Sequence, residues 1–209
     1  TDQWRWSRQE DVISVDSYPN PAEPLSGSLT SAMLGDFMRS MGNGKPWILM
    51  EQAPGAVNWR NQNAPKSPGQ MRLWSLQCVA RGAGAIMFFQ WRASRAGAEK
   101  HHSGMVQHGG IERSRVWDEV VSLGNELKCL DVLLHSQVMA EVAIMLDWES
   151  WWALELDSKP SMDLKFHEQL TRHYEPLFRS NITTDFVHPG DKLTPYKLVI
   201  IPNLYLVRA

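Results

Sequence analysis

Cysteine is scarce, with Cys78 and Cys129 the two in 209 residues. They lack the spacing of a metal knuckle and are too few for a disulfide framework. Both fall in segments that read as helix, among apolar neighbours, and are expected to be buried thiols. Long apolar runs are missing too: none approaches the roughly 20 residues of a membrane span, so no membrane partner is expected. A surplus of one charge is absent as well, since 21 Lys and Arg against 23 Asp and Glu leave a formal net charge of −2. Nothing basic is left over to attract nucleic acid or an anionic bilayer. No Gly-x-Gly-x-x-Gly or P-loop pattern follows any apolar run, which removes the usual sequence basis for nucleotide or flavin binding. No signal peptide is legible, and a cytoplasmic location is expected. The chain opens on Thr1-Asp2-Gln3-Trp4 and stops just after an apolar run. Both ends are expected to be cuts through a longer protein.

Tryptophan, by contrast, is abundant, with ten residues in a chain that is 43% apolar. Such a chain can bury a sizeable core. Ten indoles imply a large core, an interface, or flat platforms for ligands.

Periodicity gives the organisation. Asp11 to Val15 alternate as a strand and stop at the turn cluster Asp16-Ser-Tyr-Pro-Asn-Pro. Leu29, Met33, Phe37 and Met41 recur every four residues and make a helix face, closed by Gly42 and Gly44. Trp47 to Met50 is the second strand, and the loop Ala53 to Lys66 follows. Pro68 opens a second helix running to about Ala80. Ala85 to Gln90 is a third strand, apolar enough to be expected buried on both faces. After the polar loop Trp91 to Gly110, a third helix is predicted from Ser114 to Leu134. Strand and helix therefore alternate three times, the repeat of a parallel sheet, either barrel or doubly wound. Three such units are too few to close an eight-stranded barrel.

A second part is expected to begin near His135, with its own core. Its predicted strands are Val142 to Leu146, Thr183 to Val187 and Leu198 to Ile201, with a helix marked by Phe166, Leu170, Tyr174, Leu177 and Phe178. Trp148, Trp151 and Trp152 fit either core packing or an oligomer contact.

Three carboxylates of the first part are well placed for chemistry. Glu51 ends the second strand, the position at which parallel barrels hold catalytic side chains. Buried there without a partner it would be too costly, so it is either reactive or paired with an arginine. Asp16 follows the first strand and fits a turn brace. Glu99 stands three residues before His102, beside His101 and His108. That grouping suits either a metal ion or hydrogen bonds to ligand hydroxyls, with Trp59 and Trp91 offering apolar faces to a sugar.

Three motifs carry a resemblance: Leu49-Met-Glu-Gln-Ala-Pro-Gly-Ala-Val-Asn-Trp, Phe88-Phe-Gln-Trp-Arg, and Gly97-Ala-Glu-Lys-His-His-Ser-Gly-Met-Val. Together with Asp16-Ser-Tyr-Pro upstream and Asp147-Trp-Glu-Ser-Trp-Trp-Ala-Leu downstream, the sequence resembles the glycoside hydrolase family 42 β-galactosidases over nearly its whole length. The resemblance implies an α/β fold in two parts. Residues 1–136 would be the C-terminal portion, about three βα units, of a TIM (β/α)8 barrel. Residues 137–209 would be a flavodoxin-like trimerisation domain, truncated at its C-terminus.

The resemblance further implies a retaining β-galactosidase acting on terminal β-D-galactosides, with Glu51 as catalytic nucleophile. Trp59, Glu99 and His102 would surround the galactosyl unit, while Trp91 and Arg92 would serve as wall and support. The parent would be a homotrimer. No cofactor and no metal in this chain are implied, while a structural zinc in the part of the parent outside it stays open. The family's acid/base glutamate, from an Asn-Glu pair on an earlier strand, has no match before Glu51. Asn125-Glu126 lies mid-helix after the last barrel strand. The piece alone is therefore expected to be inactive, and its open strand edges to favour aggregation. A non-catalytic carbohydrate-binding or assembly module derived from such an enzyme is the alternative. The intact set Glu51, Trp59, Glu99 and His102 argues against it.

Overall fold

The computed structural model describes residues 1–112, 114–133 and 136–207. A short helix, α1 (Gln3–Ser7), is capped by the Asp2 side chain. It precedes β1 (Ser14–Asp16), α2 (Pro24–Met41), β2 (Trp47–Glu51), α3 (Gln70–Ala80), β3 (Ala83–Ile86) and α4 (Arg115–Lys128). A 3₁₀ turn at Asp131–Leu133 leads to β4 (Val142–Met145), α5 (Trp148–Glu155), α6 (Phe166–Arg179), β5 (Thr184–Val187) and β6 (Leu198–Ile200). The predicted end of the third helix at Leu134 and the predicted start of the second part at His135 lie outside the described residues.

Two three-stranded parallel sheets result, ordered β1-β2-β3 and β5-β4-β6. Every strand in the first sheet leads into a helix, which is the alternation the periodicity predicts. β1 begins later than expected because its register with β2 sets Ser14 opposite Ile48 and Asp16 opposite Glu51. Asp16 is thus the last residue of the strand, not the first of the turn. β3 also differs from expectation, ending at Ile86. It is not buried on both faces: Gly84 is exposed and Met87 is 46% exposed. As the outer strand of its sheet, β3 has no neighbour beyond it among the described residues. Its line of hydrogen bonds to the β2 side nevertheless continues, from Met87 N to Leu49 O and from Phe89 N to Gln52 O. The helices α1 and α5 were not predicted.

The second sheet has a small core of its own, Ala143, Met145 and Val187 with Leu193, Tyr196, Val199 and Leu204 against them, but it shares its larger core with the first part. One continuous cluster runs from Trp4, Phe37 and Trp47 to Ile144, Leu154, Phe166 and Phe186. The cause is α2, which buries residues on opposite faces, including Ala32, Phe37, Met38 and Met41. A helix apolar nearly all round belongs between layers, and α2 lies between the two sheets. Gly35 permits its close approach to β2, because a Cβ there would meet the Trp47 ring at 3.2 Å. Trp4 adds a second seam by donating from its indole to Leu146 O at 2.9 Å. Trp148 and Trp151 stack at 5.0 Å, and Trp151 stacks on Phe166 at 5.1 Å. Both pack against the core, whereas Trp152 is 43% exposed. Cys78 is buried as expected, but Cys129 is exposed, since it caps the solvent-facing end of α4.

A buried ionic network crosses the same seam. Asp36 of α2, fully buried, accepts from Arg39 Nη1, Arg81 Nη1 and the Tyr174 hydroxyl, each at 2.5 Å. Arg39 also donates to Thr184 O and Asp185 Oδ1, both at 2.8 Å, on β5. Two carboxylates thus meet two guanidinium groups, which is how buried charge is tolerated. No helix among the described residues is long and apolar enough to cross a membrane.

Candidate active site

The parallel register carries the ends of β1 and β2 to one rim. Glu51 closes β2, and the ladder continues one residue past β1, with Ser17 N donating to Glu51 O at 2.8 Å. That geometry swings Tyr18 over the strand end, where its hydroxyl donates to Glu51 Oε2 at 2.6 Å. Arg60 donates to the Tyr18 carbonyl and holds it from the far side. Burial, the hydrogen bond to Glu51, and the nearby charges of Glu51, Asp16 and Glu99 push the Tyr18 phenol far above its ordinary value. The phenol therefore remains a neutral donor to one carboxylate oxygen. Asp16, opposite Glu51, is raised by burial and by the Glu51 charge. It makes no side-chain hydrogen bond to the Tyr18-Pro19 turn among the described residues, so it is not the turn brace expected of it.

Aromatic rings stand around this carboxylate. Tyr18 meets Trp59 edge-on at 4.9 Å and His102 at 5.9 Å. His102 lies 5.3 Å from Trp59 and 5.0 Å from Phe89. His102 is 1% exposed, and Trp59 presents 53% of its surface. The turn holding Glu99 and His102 is closed by His102 N donating to Glu99 O at 3.0 Å. It is anchored by Ser103, whose hydroxyl accepts from Gly55 N at 2.9 Å.

His102 Nδ1 faces the Ser103 carbonyl at 2.9 Å. A carbonyl only accepts, so Nδ1 carries a proton and Nε2 points inward. His102 Nε2 and Glu99 Oε2 are both buried without a protein partner. Buried polar atoms are nearly always hydrogen-bonded, so both atoms can take a hydrogen bond from water or from a polar ligand.

The structure thus brings together Glu51, Trp59, His102 and, within electrostatic reach of Tyr18, Glu99. Trp91 stands elsewhere: it is 63% exposed and packs edge-on against Trp117 of α4 at 6.0 Å. Arg92 is exposed and bridges to Val106 through its backbone. Sequence reading did not single out Tyr18, Phe89, Arg60 or Gln52 as site groups. Tyr18 had one usable signal, its place two residues past a carboxylate at a strand end. Glu126, of the Asn125-Glu126 pair, is held by Arg72 at 2.7 Å on the α4 surface, away from this rim. Among the described residues no group of three or more His, Cys, Asp or Glu is placed to hold a metal ion. His108 is exposed and turns its Nε2 to Ser94 O at 2.8 Å.

Behind the rim lies Lys66, whose amine burial pulls down to about 7, with Cys78 opposing the shift. An unfolded lysine titrates near 10.4. Between these values the unfolded chain binds more protons than the folded one, so this group makes stability rise with pH. Relative to Lys66→Met, the wild type is expected to gain up to about 4 kcal/mol of unfolding free energy from pH 7 to pH 10. Urea unfolding of both proteins at the two pH values measures this, and a difference independent of pH would contradict it.

Carboxylates at the carboxyl ends of parallel strands, each strand leading into a helix, define an α/β protein with the layout of barrel and doubly wound folds. The family model described as β-galactosidase, glycoside hydrolase family 42, matches residues 1–130, and the β-galactosidase trimerisation domain matches residues 140–209. The chain belongs to glycoside hydrolase family 42, as its motifs imply. It is 52% identical over 205 residues to β-galactosidase BgaB of Geobacillus sp. (strain Y412MC61), covering 98% of this chain and 30% of that protein. It is 50% identical over 206 residues to β-galactosidase LacZ of Heyndrickxia coagulans, covering 99% and 30%. The crystal structure of β-galactosidase from Bacillus circulans sp. alkalophilus aligns with a TM-score of 0.89 at 43% identity, over 96% of this chain and 29% of that one. The chain spans about 30% of the length of these curated relatives.

Proposed function

We propose that this chain is the nucleophile-bearing portion of a retaining β-galactosidase. The observation that carries the reading is Glu51 at a strand end, with one oxygen held by a neutral Tyr18 whose ring also meets Trp59 and His102. Trp59 stacks on the C–H face of a terminal β-D-galactosyl unit, Glu99 accepts from its hydroxyls, and His102 contacts one more.

The free oxygen of Glu51 attacks the anomeric carbon as the bond to the aglycone oxygen breaks. A carboxylic acid about 5–5.5 Å from the nucleophile protonates that oxygen and then takes a proton from the water that releases galactose. That second carboxyl comes from an Asn-Glu pair outside this chain. The chemistry uses side chains and water, without a cofactor. In this reading residues 1–136 are the last three βα units of a (β/α)8 barrel. Residues 137–209 are a flavodoxin-like domain that assembles a cytoplasmic homotrimer. The open edges of β1 and β3 and the order β5-β4-β6 support that division.

Retention is tested by following the product anomer by proton NMR during hydrolysis of an aryl β-galactoside by the full-length protein. β-Galactose should form first and then mutarotate; initial α-galactose would rule out a covalent Glu51 intermediate. The 209-residue chain alone should release no galactose. Release that Glu51→Gln abolishes would show that the second carboxyl lies within it.

A further inference from the structure

Lys66 is a lysine where a lysine is costly. Its residue is 3% exposed, and no carboxylate among the described residues pairs with it. Its amine instead donates to two neutral oxygens, Gln52 Oε1 at 2.9 Å and Ala53 O at 2.6 Å, and stands 5.4 Å from the Trp74 ring centre. Those two partners are the residues directly after Glu51. Gln52 is itself buried, and its amide nitrogen donates to Ser75 Oγ at 2.7 Å, which donates on to Met71 O at 2.8 Å. The Gln52 amide is therefore fixed at both ends, its oxygen toward Lys66 and its nitrogen toward Ser75.

The same amine closes a loop. The segment between Ala53 and Lys66 carries Asn58, Trp59 and Arg60, and the Lys66–Ala53 bond ties its end to its start. Arg115 of α4 holds the Lys66 carbonyl at 2.9 Å. The Gln52 carbonyl accepts from Phe89 N at 3.1 Å, and the Phe89 ring packs on His102. One buried amine thus joins the end of the Glu51 strand, the Trp59 loop and the Phe89–His102 wall. An apolar side chain of similar volume would close the loop without desolvating an amine.

We infer that Lys66 is a positioning residue, which through Gln52 and Ala53 holds the end of β2 and the Trp59 loop in the geometry that Glu51 needs to attack a sugar. The inference rests on the β-galactosidase reading. Lys66 acts through its neighbours and touches neither Glu51 nor the proposed sugar site. Misplacing a reacting group by about 1 Å costs on the order of 10²-fold in rate. Loss of Lys66 should therefore appear mainly in kcat.

The test uses the full-length enzyme and a 2-deoxy-2-fluoro-β-galactoside with a good leaving group, which traps the nucleophile covalently. Lys66→Met removes the donors and keeps the stem; Gln52→Leu cuts the same link from the other side. Both are expected to slow trapping and kcat by about 10–100-fold, with KM changing less than about threefold. The double variant should lose little more than either single one. Folded variants trapped at the wild-type rate, with only their melting temperature altered, would reduce Lys66 to a role in folding and overturn the inference. If Lys66→Met does not fold, Gln52→Leu decides alone. A wild type that is not labelled at Glu51 overturns the β-galactosidase reading, and the inference with it.

Discussion

Glu51→Gln in the full-length protein is expected to lower turnover of aryl β-galactosides by more than about 10³-fold. Glutamine keeps the size of the side chain and an oxygen that accepts from the Tyr18 hydroxyl, now 2.6 Å from Glu51 Oε2. It cannot form the covalent bond to the anomeric carbon. The loss should therefore fall on kcat and kcat/KM alike, the pattern of an interaction made only in the transition state. Galactose binding should survive, because Trp59, Glu99 and His102 are untouched. A variant keeping more than about a tenth of wild-type activity would remove Glu51 from the nucleophile's role.

The second large effect concerns stability. Asp36→Ala is expected to cost about 3–5 kcal/mol, the range for breaking a buried ion pair by deleting one partner. Asp36 is fully buried and accepts from Arg39, Arg81 and Tyr174. Without it, Arg39 keeps Asp185 and Thr184 O, but Arg81 loses the carboxylate it pairs with. Tyr174, raised far above its ordinary value by burial and by the Asp36 charge, loses the acceptor of its hydroxyl. Denaturant unfolding should show a lower midpoint with an unchanged slope. A loss under about 1 kcal/mol would mean that water or relaxation replaces Asp36. Since the network joins α2 and α3 to α6 and β5, the variant should also loosen the two sheets from each other.

Period and punctuation made much of the fold legible. The four-residue repeat of Leu29, Met33, Phe37 and Met41 marks α2, and the glycines after it mark its end. What could not be read is what depends on register. Nothing local in the sequence says that Asp16 stands opposite Glu51, and the Tyr18–Glu51 hydrogen bond follows from that pairing. The same holds for Asp36, whose partners lie up to 138 positions away. Its place on a helix reads as an ordinary solvated charge. Periodicity also misjudged β3, because an apolar run does not reveal whether a further strand lies beside it. Trp148 and Trp151 read equally as core or interface, and the indole stack on Phe166 places both against the core.

The site was legible for a different reason. Its residues come in three long motifs, and motif resemblance fixed the family before geometry did. Geometry then added what motifs do not state: that Glu99 Oε2 and His102 Nε2 are buried without protein partners, and that a buried lysine holds the two residues directly after Glu51.

The central claim is that Glu51 forms the covalent galactosyl intermediate. Its most direct test is peptide mapping by mass spectrometry after the full-length protein has been inactivated with the 2-deoxy-2-fluoro-β-galactoside. The account predicts a single fluorogalactosyl adduct, carried on the Glu51 side chain in the peptide containing Trp47 to Trp59. An adduct on another carboxylate, or hydrolysis of the reagent with no adduct at all, would contradict it.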